Sequence, residues 1–264
     1  MTLEANCRRL LMAMLAMGAA TGTLPAAEYK DVLAKNLELA GATKLVVGHV
    51  TGTIDIQGGD VKEVSVRAVK RVEASSEADA KKALDRVKVE IAVTGGVLEV
   101  RTRYDDESTW QKLRDLVGGG GLPKVSVDLT IALPKAWHAQ VTTVSGEVSI
   151  RELSGGLQLK GVSGSLKANG LAGGAVEAHS VSGNIDLAWV KGGYAGASLH
   201  TVSGNAALSL PVGVGATVEF HSVSGAIEVA GGSGSGRWNG KLGAGGPALE
   251  IHTVSGSAKI KTAP

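Results

Sequence analysis

The chain has 264 residues, 44% of them apolar and 20% charged, with 38 Gly, only 3% aromatic residues and a formal charge of +2. That length can bury one sizeable core, and a composition rich in glycine and poor in rings favours tight turns and thin stacked layers. No Lys/Arg cluster interleaved with aromatics appears, so the electrostatic footprint of a nucleic-acid binder is missing.

The first element in chain order is an address label. Arg8 and Arg9 precede the apolar run "LLMAMLAMGAA", and small residues follow up to "LPAAE", the three-part pattern of a secretory signal peptide with cleavage expected after Ala27. Residues 1–27 are therefore read as a signal and 28–264 as the exported domain. Cys7, the only cysteine, precedes the apolar run and would leave with it, so the exported chain has no thiol, disulfide or cysteine metal ligand. Losing Glu4, Arg8 and Arg9 leaves 27 − 2 = 25 basic against 25 − 1 = 24 acidic residues. No later stretch approaches the ~20 consecutive apolar residues of a membrane helix, so no transmembrane segment is expected in the mature chain.

Residues 28–140 read as an irregular, strand-rich first part. "HVTGTIDI" (49–56) is a degenerate corner plus strand, and "EVSVRAVKRV" (63–72), "VKVEIAVT", "VLEVRTR" and "KVSVDLTIALP" (124–134) alternate as longer strands. Between them "SSEADAKKALDRV" predicts one short helix near 75–86. Ser75 or Ser76 caps it, Glu77 and Asp79 occupy its first turn, and Lys81, Lys82 and Arg86 come later, so charge complements the helix dipole. Residues 105–123, "DDESTWQKLRDLVGGGGLP", are the least strand-like stretch and read as a loose insertion, in which Trp110 and Leu113 allow a second short helix or a flap.

From residue 141 onward a tripeptide recurs. Val-Ser-Gly ends at Gly146, Gly164, Gly183, Gly204, Gly225 and Gly256, at spacings of 18, 19, 21, 21 and 31 residues. A fixed period near 20 marks a stacked solenoid, with each repeat one rung and the excess of the last spacing placed in a loop around 231–246. Before each corner, pairs such as Val141/Thr143, Leu199/Thr201 and Phe220/Ser222 alternate with polar neighbours; after it come Val148/Ile150, Ile185/Leu187, Leu208/Leu210, Ile227/Val229 and Ala258/Ile260. That is strand periodicity. The glycine is expected to give the corner positive φ, and the serines to hydrogen-bond along the axis or to the bend. None of the serines sits in a Gly-x-Ser-x-Gly elbow, and six copies of a nucleophile have no chemical purpose. The glycine runs at 118–121 and 231–236 lack a following helix and are given no ligand. The fold expected is all-β: a single-domain parallel β-solenoid of ~20-residue rungs with one short helix inserted, coiled right-handed.

One feature goes beyond a scaffold. Four residues before the motif glycine stand His179, His200, His221 and His252, and two residues earlier Glu177, Ser198, Glu219 and Glu250. Counting by twos puts both sets on one face, so rungs in register make a column of imidazoles beside a column of carboxylates, ~4.8 Å between neighbours. Such a ladder is a solvated by-product of duplication, or it holds a divalent transition metal or senses protons. In consecutive coils His179, His200 and His221 come first and His252 one rung farther on.

The order "GHVTGTIDI", "VSVRAVKRV…VKVEIAV…LEVRTR", "VSVDLTIALPKAW", the Val-Ser-Gly rungs and the closing "RWNGKLGAGGPALEIHTVSGSAKI" resembles the "putative-adhesin", or toast-rack, family of bacterial envelope β-repeat proteins across residues 37–261. The resemblance implies a β-strand solenoid, exported or attached to envelope modules, with no established enzymatic site and no functional residues to carry over. The function expected is therefore an exported, non-enzymatic, adhesin-like binding or structural module, periplasmic or at the cell surface, whose partner is an envelope or surface protein or a polysaccharide. No cofactor is implied beyond the metal that the ladder allows. Two other readings stand beside it: a polysaccharide-acting enzyme on a β-helix, for which the clustered Asp105, Asp106 and Glu107 are weak support, and a metal- or pH-responsive envelope protein.

Overall fold

The computed structural model describes residues 27–263 except 39–40, 105–124, 191 and 230–231. The expected signal segment up to residue 26 and the 105–123 insertion, with Asp105, Asp106, Glu107 and Trp110, lie outside the described residues. The first part holds β1 (Ala27–Glu38), β2 (Lys44–Gly59), β3 (Glu63–Ala74), α1 (Glu77–Asp85), β4 (Val87–Thr94), β5 (Val97–Tyr104), β6 (Val125–Pro134) and β7 (His138–Arg151). Helix α1 starts at Ser76, whose Oγ accepts from the Asp79 amide, and its buried Ala80 and Ala83 pack on Val72 and Ala74. The repeats follow as strand pairs: β8 (Leu157–Ser163) and β9 (Leu166–Leu171), β10 (Val176–Ser182) and β11 (Ile185–Trp189), β12 (Ala197–Ser203) and β13 (Ala206–Pro211). The chain ends with β14 (Ala216–Val229), β15 (Gly232–Leu242), β16 (Ala248–Ser255) and β17 (Ala258–Ala263).

Among the described residues this is the parallel, all-β solenoid with one short helix that the sequence predicts. Each rung turns through its Ser-Gly corner from a first face to a second, and in β2, β7 and β14 the strand runs on through the corner. Across the first face the order is β4, β5, β2, β7, β8, β10, β12, β16, β14, β15; across the second it is β1, β3, β6, β2, β7, β9, β11, β13, β17, β14, β15. The pairings between repeats are parallel and in register, apart from a one-residue shift between Leu187 and Trp189 where β11 meets β9, whereas β1, β3, β4 and β15 pair antiparallel and close the two ends. Inward positions of both faces fill one core, in which Leu45, Val141, Leu159, Leu199, Ile251 and Phe220 are at most 1% exposed. On the second face the outward positions carry exposed ion pairs, Arg151 with Asp55 (2.8 Å), Lys167 with Glu147 (2.6 Å) and Lys259 with Glu228 (2.6 Å), which add solubility more than stability.

The rung order departs from chain order. β16 pairs with β12 on one side and β14 on the other, so the last rung in sequence is the next-to-last in space. The cause is β15, which corrects the expected loop at 231–246. After β14 the chain doubles back as an antiparallel strand along its outer edge, which leaves only the inner edge of β14 for the final repeat. The glycine-rich "GSGSGRWNGKL" holds a strand because the indole of Trp238 lies over Gly234 and Gly240, where any Cβ would collide with it.

The corners also differ from expectation. Gly146 and Gly164 have φ of 150° and 113°, but Gly183, Gly204, Gly225 and Gly256 are not in the left-handed region. What they share is close approach: a Cβ on Gly183 would overlap the carbonyl oxygen of Gly164, one on Gly204 that of Gly183, one on Gly256 that of Gly204, and one on Gly225 that of Gly256. The motif serines are exposed, and the corner is tied instead by the residue after the glycine. Asn205 N donates to Asn184 Oδ1 and Ser257 N to Asn205 Oδ1, both at 3.0 Å.

Beneath the corner runs an inward polar column of Thr143, Ser180, Thr201, Thr253 and Ser222, all buried with no hydrogen-bond partner for the hydroxyl. In the rung before Thr143 the same position is His49, 4% exposed, with Nδ1 3.2 Å from Thr102 Oγ1 and Nε2 without a partner. Burial pushes its pKa from 6.5 down to about 4, and the Asp128 carboxylate offsets this only in part.

Two predictions follow from these contacts. Gly204→Ala, which any φ-only account of the corner would tolerate, should lower stability by about 1–3 kcal/mol in urea unfolding, as should Gly183→Val, because the added carbon meets backbone that cannot move. Unchanged midpoints in both would remove close stacking as the reason for the glycines. For His49 the unfolded chain binds a proton that the folded one refuses, so its contribution is complete above pH ~6.5 and is lost as pH falls toward 4, by as much as about 3 kcal/mol. His49→Thr, copying the next rung, should flatten the loss between pH 7.5 and 4.5, read as the shift in urea midpoint.

Candidate functional site

On the first face, side chains at alternate positions point outward in straight columns because the strands pair in register. His179 pairs with His200, His200 with His252, and His252 with His221. All four candidate imidazoles thus form one column, but in the order 179, 200, 252, 221, which corrects the consecutive order expected from the sequence. The rings of His179 and His200 stack at 4.8 Å and 5°, those of His200 and His252 at 5.0 Å and 7°, while His221 meets His252 edge-on at 6.1 Å and 68°. Lys160 extends the column beyond His179, and Arg237 of β15 beyond His221.

The carboxylate column is likewise assembled, with Glu177 opposite Ser198, Ser198 opposite Glu250, and Glu250 opposite Glu219. Within its strand Glu177 Oε1 lies 2.6 Å from His179 Nε2, and Gln158 Nε2 donates to Glu177 Oε2 at 2.7 Å. These two bonds hold the Glu177 carboxyl below the usual range. Ser198 takes the place of a carboxylate beside His200, with its Oγ 3.2 Å from Nε2. Partial burial lowers the His200 pKa, and the adjacent His179 and His252 lower it further.

Stacking bears on the metal reading. A ring nitrogen binds a cation through a lone pair in the ring plane, and face-to-face imidazoles aim those lone pairs side by side. Among the described residues no group of three or more His, Cys, Asp or Glu is placed to hold an ion. The ladder is therefore assembled as a column of bases, and its side chains would have to turn to form the coordination set His179, His200, His221, His252 with Glu177, Glu219 and Glu250.

Two residues beyond the imidazoles lies a third column that sequence reading missed. Val144, Val162, Val181, Val202 and Val254 are 48–49% exposed and Val223 77%, in a protein whose core valines are almost wholly buried. These are the valines of the repeated tripeptide. Counting by twos from the histidines puts them on the same outward face, a signal that the corner reading of the tripeptide hides. Between the imidazole and valine columns runs a groove of about 620 Å³, floored by the backbone of Thr143, Gly161, Ser180, Thr201 and Thr253.

The stacked bases set up a titration prediction. In an NMR pH titration His200 should protonate below the ordinary histidine value of ~6.5, and its midpoint should rise in His179→Gln/His252→Gln as the neighbouring charges disappear. A His200 midpoint at the ordinary value in both proteins would show that the column does not stack in solution.

The model of the Toastrack DUF4097 family matches residues 52–261. A solved structure of a "putative cell adhesion protein" from Clostridium sporogenes ATCC 15579 is 17% identical, covers 90% of this chain and 100% of its own, and superposes with a TM-score of 0.52, a likeness of fold alone. A "putative adhesin" from Bacteroides fragilis NCTC 9343 is 16% identical over 88% of this chain and 97% of its own, with a TM-score of 0.37. No curated protein matches. By the family match, which spans every Val-Ser-Gly rung and the closing strands, this chain belongs to the Toastrack DUF4097 family.

Proposed function

We propose that the chain is an exported, non-enzymatic binding module of the bacterial cell envelope, adhesin-like in presenting a repeated surface to a partner. The observation that carries the reading is the valine ridge. Six valines in one line, five half-exposed and Val223 more so, rimmed by polar and ionisable columns, form the kind of contiguous apolar strip that soluble proteins keep for contacts. The second face, laced with ion pairs, offers no such strip, so the first face is the working surface.

Export is supported by the N-terminal sequence, with Arg8 and Arg9 ahead of an apolar run and small residues before Ala27. The adhesive role is supported by the repeat itself, since a solenoid multiplies one contact along its axis. A non-enzymatic role is favoured by the same regularity: catalysis needs a few unlike groups converging on one point, and this face repeats like groups along a line.

Fusing residues 1–40 to a reporter that is active only outside the cytoplasm should give an active fusion, and an inactive one would sink the export half. For the binding half, the purified protein should be retained by isolated cell envelopes of the producing organism, and Val181→Lys/Val202→Lys should lose most of that retention while melting normally. Equal retention of the two proteins would remove the ridge as the contact surface.

A further inference from the structure

The groove beside the ridge has a form that narrows its occupant. It runs across six rungs from Thr142 to His221, and at ~4.8 Å per rung this is ~24 Å of open channel with a base on one wall at every rung after the first. One wall is the line of valine isopropyl groups. The other is a line of bases: Lys160, His179, His200, His252, His221 and, past the groove's end, Arg237.

We propose that this groove binds a linear acidic polysaccharide laid along the solenoid axis, one sugar per rung, and that it does so more tightly as the pH falls. The proposal rests on the reading of the first face as a binding surface and names the ligand class. Period decides between polymers. An extended peptide advances ~3.3 Å per residue and slips out of step with rungs ~4.8 Å apart within a few residues. A flat β-(1→4)-linked sugar chain advances by nearly one rung per sugar with alternate rings turned over, so every second carboxylate faces the line of bases, close to every second rung, while each ring lies beside one rung's valine.

Charge decides the pH dependence. In the two outward columns beside the groove the charged groups are Lys160 on β8, Glu177 on β10, Glu250 on β16, Glu219 on β14 and Arg237 on β15; β7 and β12 contribute none besides His200. Without imidazolium the strip carries 2 − 3 = −1, and each proton taken up by a ring adds one, so two imidazolium ions among the four bring it to 2 + 2 − 3 = +1. Proton uptake therefore reverses its sign. Glu177, already held by His179 and Gln158, is the carboxylate least free to repel a polyanion.

Binding of the full protein to β-(1→4)-mannuronate oligomers, β-(1→4)-mannan oligomers and polyaspartate should be measured by calorimetry at pH 7.5 and 5.5. The carboxylates of both anions stay ionised throughout. Mannuronate affinity should rise about tenfold or more at the lower pH, equivalent to one factor-of-ten step in Kd, with polyaspartate clearly weaker and mannan weakest. Replacing all four imidazoles, His179→Gln/His200→Gln/His252→Gln/His221→Gln, which leaves the strip at 2 − 3 = −1 at both pH values, should lose the rise with the melting curve unchanged; Val181→Ser/Val202→Ser should weaken binding at both pH values. Equal mannuronate affinity at the two pH values, polyaspartate binding as tightly as mannuronate, or a rise that survives the histidine changes would each overturn the proposal. Failure to bind mannuronate by a protein that envelopes still retain would sink the ligand class and leave the binding module standing; failure of both would take down both.

Discussion

The molecule depends on how closely its corners stack. At each rung the Cα of the motif glycine lies against the carbonyl oxygen of the glycine in the neighbouring rung, with no room for a methyl group. That contact brings the strands on either side into register, and register converts a short repeated sequence into long straight columns. The buried leucines and isoleucines, the asparagine ties at the bend, the imidazoles and the valines are all consequences of one fixed offset. A corner built on positive φ alone would have left the rungs free to slide relative to one another.

Register has different effects inside and outside. Inside, it lines up five hydroxyls that find no partner, a polar seam beneath the corner that an all-apolar core would avoid. Four of them, on Ser180, Thr201, Ser222 and Thr253, lie close to where their rung's glycine would carry a Cβ, so the seam occupies space that the corner leaves open. Outside, register places like beside like: imidazole on imidazole, carboxylate near carboxylate, valine on valine. The histidine column answers this with face-to-face ring stacking, and at Glu177 with a direct hydrogen bond.

Much of this was legible in the sequence. Period near 20 gave the rung, alternation gave the strands, and Ser76 with its acidic first turn placed the helix within two residues. The family resemblance quoted from residues 37–261 agrees with the match over 52–261. What failed to read through was non-local. Nothing in "GSGSGRWNGKL" says that Trp238 will cover its own strand's glycines, and without that strand the order of the last two rungs looks sequential. The reason for the glycines was misread because a sequence displays a turn but not what lies above it. The valine ridge was present in the repeat and was passed over, since a residue inside a recurrent motif is easily assigned to the motif's geometry and not to the surface it faces.

The placement of the final repeat bears on how the chain reaches its structure. A solenoid whose rungs follow in order can grow from one end as the chain appears, each rung docking on the last. Here β16 and β17 hydrogen-bond to a rung on each side, so Ala248–Ala263 must enter a slot between two layers that were made earlier. Until that segment arrives, β14 and its hairpin partner β15 have no parallel neighbour to dock on. Ala248–Ala263 therefore act as a keystone. Assembly cannot be finished rung by rung in chain order, because the rung that lies between β12/β13 and β14 comes after β14 in the sequence.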